Sequence, residues 1–87
     1  MALAHYNLGV ALAEGGELSA AIPHFEETLR LRPGRADAHN NLAAALAGQG
    51  RLRESVAHLE AALRLEPDHA RARENLRRAR EALARAP

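Results

Sequence analysis

The chain has 87 residues, 47% of them hydrophobic and chiefly Ala and Leu, with one Tyr, one Phe, no Trp and no Cys. That length bounds the molecule to one small domain with a modest core, and the scarcity of β-branched and aromatic residues excludes a sheet, so an all-α fold is expected. The missing cysteines exclude a disulfide framework and a thiolate metal site, and a net charge of +1 argues against a general polyanion binder.

In chain order, Leu8, Ala11 and Leu12 keep helical spacing until "EGGE" at residues 14–17 breaks it. Leu18, Ala21, Ile22, Phe25 and Leu29 resume the spacing, and Pro33 ends it. Pro23 is expected in a loose first turn, where a missing amide costs least. The pattern then repeats: Leu42, Ala45 and Leu46, a break at "GQG", then Leu52, Val56, Leu59 and Leu63 up to Pro67, which follows Pro33 by 34 residues. About half the positions aligned at this offset are identical. A period of this length predicts stacked helical hairpins that cannot bury their apolar faces singly. A third, partial copy keeps Ala72, Leu76, Ala79 and Leu83 on one stripe, but sets Arg73, Arg77 and Arg80 where a further helix would pack. It reads as a capping helix with a polar outer face, supported by Glu74–Arg78 and Glu81–Arg85 pairs four residues apart. The expected organisation is one domain over 1–87: repeat one at 2–35, repeat two at 36–69, cap at 70–87. Nothing solvates the first helix in the same way, so an apolar strip is expected to stay exposed there.

His5, Leu8, Gly9, Leu12, Ala21, Phe25 and Pro33, and again His39, Leu42, Ala43, Leu46, Ser55, Leu59 and Pro67, follow the pattern W-x-x-L-G-x-x-Y, A-x-x-x-F, P. The chain thus resembles the tetratricopeptide repeat family along its whole length, with His for Trp, Leu for Tyr, Ala43 for Gly and Ser55 for Ala. The resemblance implies a right-handed α-hairpin solenoid whose first helices line a concave groove that binds an extended peptide or partner segment. At 100° per residue the corresponding face carries Leu3, Tyr6, Asn7, Val10 and Glu14, then Asp37, Asn40, Asn41, Ala44 and Gly48, then Arg71, Glu74, Asn75 and Arg78. The small Ala44 and Gly48 would leave its floor open.

Asn7, Asn41 and Asn75 recur at the repeat offset, although a mid-helix Asn is less favourable than Ala by several tenths of a kcal/mol. Two readings stand. The amides bond neighbouring helices or water, or they form a ladder that holds a peptide backbone, resembling that in the repeat domain of O-GlcNAc transferases. A carboxylate clamp of the kind that holds chaperone tails is mostly absent: Asn41 and Arg71 match two of its positions, while Tyr6, Val10 and Asn75 replace its other residues.

The five histidines show no i, i+4 pair and no Cys accompanies them, so they read as packing residues, and zinc or nickel is expected to leave stability unchanged. No phosphate loop, nucleophile elbow or carboxylate pair points to catalysis. No cofactor is expected, and the cap arginines lack the interleaved aromatics of a nucleic-acid surface. No stretch reaches the roughly 20 apolar residues of a membrane span, and "MALAHYNLG" lacks the basic and apolar segments of an export signal. A soluble, cytoplasmic binding module is therefore expected. The alternative is a structural module that self-associates weakly through its first helix and leaves the groove empty.

Overall fold

The computed structural model describes residues 1–85. Among them lie five α-helices and no strand: α1 (Ala2–Glu14), α2 (Leu18–Leu31), α3 (Ala36–Gly48), α4 (Leu52–Leu65) and α5 (Ala70–Arg85). The odd-numbered helices begin at Ala2, Ala36 and Ala70, one 34-residue period apart. Ala86 and Pro87, the end of the expected 70–87 cap, lie outside the described residues.

The hairpin turns follow from two glycines. After α1 the Glu17 amide donates to the Leu12 carbonyl (2.8 Å) and the Gly16 amide to Ala13 (3.0 Å); after α3 the Arg51 amide donates to Leu46 (2.9 Å) and Gly50 to Ala47 (2.9 Å). This pair of bonds closes a helix only when the residue past its end is left-handed, and Gly16 and Gly50 have φ of 82° and 80°. Pro33 and Pro67 lie just past α2 and α4, where they prevent the helix from continuing. Pro23 is the sixth residue of α2 rather than part of its first turn, so it removes the bond that the Ser19 carbonyl would accept, and the helix nonetheless runs unbroken to Leu31. At the start of α5 the Ala72 amide donates to Nδ1 of His69 (3.1 Å), an imidazole in place of the usual oxygen cap.

The core divides into two blocks that share α3. Ala21, Ile22 and Phe25 of α2 pack on Leu42, Ala45 and Leu46, with Tyr6, Val10, Leu12 and Ala13 of α1 against the same block. On the other side of α3, Ala36 and Ala43 join Leu59 and Ala62 of α4 and Ala72, Leu76 and Ala79 of α5. The core stripe expected in α1 is only partly present: Leu12 is half-buried, but Ala11 is exposed and Leu8 is 47% exposed. Their counterparts Leu42 and Ala45 are covered by α2, and among the described residues no helix covers this side of α1. Gly9 is the buried residue of α1, with the Phe25 ring against it. Two buried hydroxyls are satisfied locally, Thr28 donating to the His24 carbonyl (2.9 Å) and Ser55 to the Ala43 carbonyl (2.8 Å).

The cap has its expected polar face. Arg73, Arg77 and Arg80 are exposed, Arg78 and Arg85 reach Glu74 (3.1 Å) and Glu81 (3.9 Å), and Arg80 ties α5 to Glu60 of α4 (3.0 Å). Among the described residues no helix is long and apolar enough to cross a membrane.

Candidate peptide-binding groove

A concavity of about 440 Å³ opens between α1, α3 and the start of α5. Its walls are Tyr6, Asn7, Val10 and Glu14 on one side, Asn41 and Ala44 in the middle and Arg71 on the other. The half-buried Leu18 and Ala13 form the apolar floor, with the fully covered Phe25 and Ala45 beneath them. Six of the residues expected to bind a peptide are thus brought together: Tyr6, Asn7, Val10, Asn41, Ala44 and Arg71. Small residues account for the opening, since Ala44 in the central helix has no side chain long enough to close it.

The charges at the two ends differ. Glu14 stands at the α1 end and Arg71 at the α5 end, and Arg71 makes no ion pair among the described residues. Arg35, which the periodicity did not single out because it precedes α3, sets its guanidinium over the Tyr6 ring, 4.9 Å from the centroid. The Tyr6 phenol is held at its other end by an N–H of the Asn41 amide (2.9 Å).

The remaining expected residues lie elsewhere. Leu3 faces a separate hollow with Met1, Ala2, Leu31, Arg32 and Arg35, because it sits a turn before Tyr6 and beside the end of α2. Asn40 is buried at 3% exposure under α5, where its carbonyl oxygen accepts from Asn75 (2.9 Å), and neither residue lines the concavity. Gly48 is crowded by Leu18 of α2, outside the concavity's lining. Asp37 accepts a hydrogen bond from His69 Nε2 (2.9 Å) at the α3–α5 edge. Glu74 is engaged by Arg77 and Arg78, and its carboxyl is held below the usual range chiefly by the hydrogen bond from Arg77.

The asparagines at the repeat offset therefore have unequal surroundings. Asn41 and Asn75 each bond the neighbouring helix, the first of the two readings open from sequence, and Asn7 is exposed. A second N–H of Asn41 and the Tyr6 hydroxyl hydrogen remain able to donate toward a ligand.

The histidines converge in a way that their sequence spacing conceals. Nδ1 of His5 lies 3.2 Å from Nδ1 of His24, and the same atoms of His39 and His58 are 3.1 Å apart. Each pair joins the two helices of one hairpin, a contact that the spacing along the chain does not show. Burial lowers the pKa of His39, with the adjacent His58 adding to the effect; burial also lowers that of His58, against the opposing fields of Glu26 and Glu54. Neither pair gains a third ligating group. The one such trio among the described residues is Asp37, Glu66 and His69, within 4.8 Å of one another. There His69 has both ring nitrogens engaged, Nδ1 by the Ala72 amide and Nε2 by Asp37.

Comparison of the sequence with curated proteins finds no match. The first TPR of Spaghetti (RPAP3), solved bound to the HSP90 peptide SRMEEVD, superposes with a TM-score of 0.94 at 24% identity, over 97% of this chain and 67% of that one. The TPR2AB domain of yeast Sti1, solved as a pHSP90 complex, gives 0.91 at 24% identity over 94% of this chain, which spans only 32% of that structure. At such identities the likeness establishes the fold alone. The sequence profile of the tetratricopeptide repeat matches residues 11–78, and with the 34-residue period and the paired helices this places the chain in the tetratricopeptide repeat family.

Proposed function

We propose that this chain is a protein-interaction module that binds an extended segment of a partner in the concavity between α1, α3 and α5, with no chemical step. The observation that carries this reading is the open concavity whose accessible apolar lining, Val10, Ala13, Leu18 and Ala44, is joined by the polar Tyr6, Asn41 and Arg71. An apolar side chain of the ligand would seat against Val10 and Ala44. Asn41 and Tyr6 would meet one peptide unit, and Arg71 would favour an acidic residue. The two solved relatives carry HSP90-derived ligands, which supports peptide binding as the type of function. Their ligand is not carried over, because Tyr6 and Val10 stand at two clamp positions and Asn75, at a third, is bonded to Asn40.

The reading is tested by selecting binders from a random-peptide library and measuring their affinity for three proteins: the original chain and two variants. Ala44→Trp fills the floor and should abolish binding while leaving the helical spectrum intact. Arg71→Glu should weaken acidic binders about tenfold and spare neutral ones. Undiminished affinity in the folded Ala44→Trp variant would overturn the proposal.

A further inference from the structure

Two pairs of imidazoles meet nitrogen to nitrogen, one across each hairpin, at 3.2 Å for Nδ1 of His5 and His24 and 3.1 Å for Nδ1 of His39 and His58. The ring centroids are 5.4 and 5.3 Å apart, little more than the N···N distance with a ring radius at either end. Both Nδ1 atoms of a pair therefore lie between the rings, close to the line joining their centres. Two bare lone pairs facing each other across so short a gap would repel, so one imidazole of each pair holds its hydrogen on Nδ1 and donates it to the other. All four rings are half-buried, and none lines the concavity. The fields of Glu26 from α2 and Glu54 from α4 reach His58. Arg51 binds both oxygens of Glu54 (2.9 and 2.8 Å), whereas Glu26 makes no side-chain hydrogen bond among the described residues. In the first hairpin Glu27, whose carboxyl senses His5, is held by Arg30 (2.8 Å).

We propose that the His39 and His58 imidazoles form a two-nitrogen chelating site for a divalent transition cation of the zinc and copper class, with water completing the coordination, and that His5 and His24 form a weaker site of the same kind. Two nitrogens bound at about 2.0–2.1 Å to one cation, with an angle of about 100° between the bonds, are about 3.1–3.2 Å apart. Both hairpins already hold that separation. Turning the rings about their soft χ2 torsions swings the two lone pairs off the N···N line to a common point. The cation then takes the place of the shared hydrogen, which moves to Nε2 of the same ring, so no net proton is released from a neutral pair. Burial favours that neutral form in His39 and His58, which leaves both rings ready to ligate. Glu26, free of any arginine, adds a negative field at this pair that the first hairpin does not match. His69 is unsuited to the same role: its Nδ1 accepts from the Ala72 amide, so its hydrogen lies on Nε2 toward Asp37 and no lone pair faces the carboxylates there. The expected indifference to zinc and nickel rests on spacing within one helix, which does not report on pairs that form across a hairpin. The proposal is independent of what the concavity binds.

The chain, cleared of metal by dialysis against a chelator, is titrated with zinc chloride in a calorimeter about one unit above the ordinary imidazole pKa of about 6.5. One zinc per chain should bind ahead of a weaker second one, and Tm should rise by several degrees and fall back when chelator is added. Imidazole nitrogen shifts should place the tighter zinc on Nδ1 of both His39 and His58. His58→Gln, or His39→Gln should the first variant lose its helical spectrum, should weaken the tighter site about tenfold or more. The exposed Glu26→Gln should weaken it by a smaller factor, and His69→Gln should leave it unchanged. Undiminished zinc affinity in a folded His58→Gln or His39→Gln variant would overturn the proposal. So would loss of binding in His69→Gln instead, or no binding by the original chain up to about 1 mM zinc.

Discussion

A Cβ built on Gly9 would lie 2.8 Å from Cε1 and 2.9 Å from Cδ1 of the Phe25 ring. One period later the same two positions hold Ala43 and Leu59, each at most 1% exposed, so a smaller partner accompanies the larger helix residue. Gly9→Ala by itself gains about 0.8–1.0 kcal/mol of helix propensity. It also forces a buried ring to move by about half an ångström, and overpacking of this kind costs typically 1–3 kcal/mol, leaving a net destabilisation of about 1 kcal/mol. Phe25→Leu by itself leaves part of the ring's volume empty and should cost about 1–2 kcal/mol. The double variant reproduces the second repeat: the ring no longer obstructs the methyl group, and the methyl fills part of the space, so stability should return close to that of the original chain. The double-mutant cycle should then show a favourable coupling of about 1–3 kcal/mol, measured by urea unfolding followed by the helical circular dichroism signal. If Gly9→Ala stabilises by its propensity gain alone and the two changes add within about 0.5 kcal/mol, the close approach is not limiting and the reasoning fails.

Two further effects can be measured in the same way. Because burial holds His39 and His58 below the ordinary imidazole pKa of about 6.5, the unfolded chain takes up protons first on acidification. Their contribution to stability is therefore full above that pH and lost as pH falls through it toward the folded values. Tm should drop as the pH is lowered from about one unit above that value to about one unit below it, and His58→Leu should flatten the slope; an unchanged slope in that variant would contradict the assignment. Gly50 sits at φ 80° with nothing within 4 Å of where a Cβ would stand, so Gly50→Ala should cost about 1–2 kcal/mol through backbone strain alone, whereas Gly34→Ala, equally open and without a positive φ, should be close to neutral. Equal unfolding midpoints for these two variants would refute the strain argument.

The period, the two glycine turns, the prolines past α2 and α4 and the arginine-faced cap were legible in sequence because each is a local signal repeated at a fixed offset. Equivalent positions, however, do not have equivalent surroundings in an array this short. Tyr6 and Asn40 share a position, yet one borders the open concavity and the other is closed under α5. Leu8 and Leu42 likewise share a position, and only Leu42 has a hairpin against it. The histidine pairs span 19 residues, a separation set by how a hairpin closes rather than by helical periodicity. Their signal was present as His at both positions of both repeats. Arg35 went unnoticed because it precedes α3 and falls outside any helical stripe, although it contacts the Tyr6 ring.

The claim that the concave face of α1, α3 and α5 is the binding surface is tested most directly by backbone amide chemical shifts, recorded as a library-selected peptide is titrated into the isotopically labelled chain. The account predicts that the largest changes fall on Asn7, Val10, Asn41, Ala44 and Arg71 and that they vanish in a folded Ala44→Trp variant. Changes confined to α2 and α4, or persisting unaltered when the floor is filled, would contradict it.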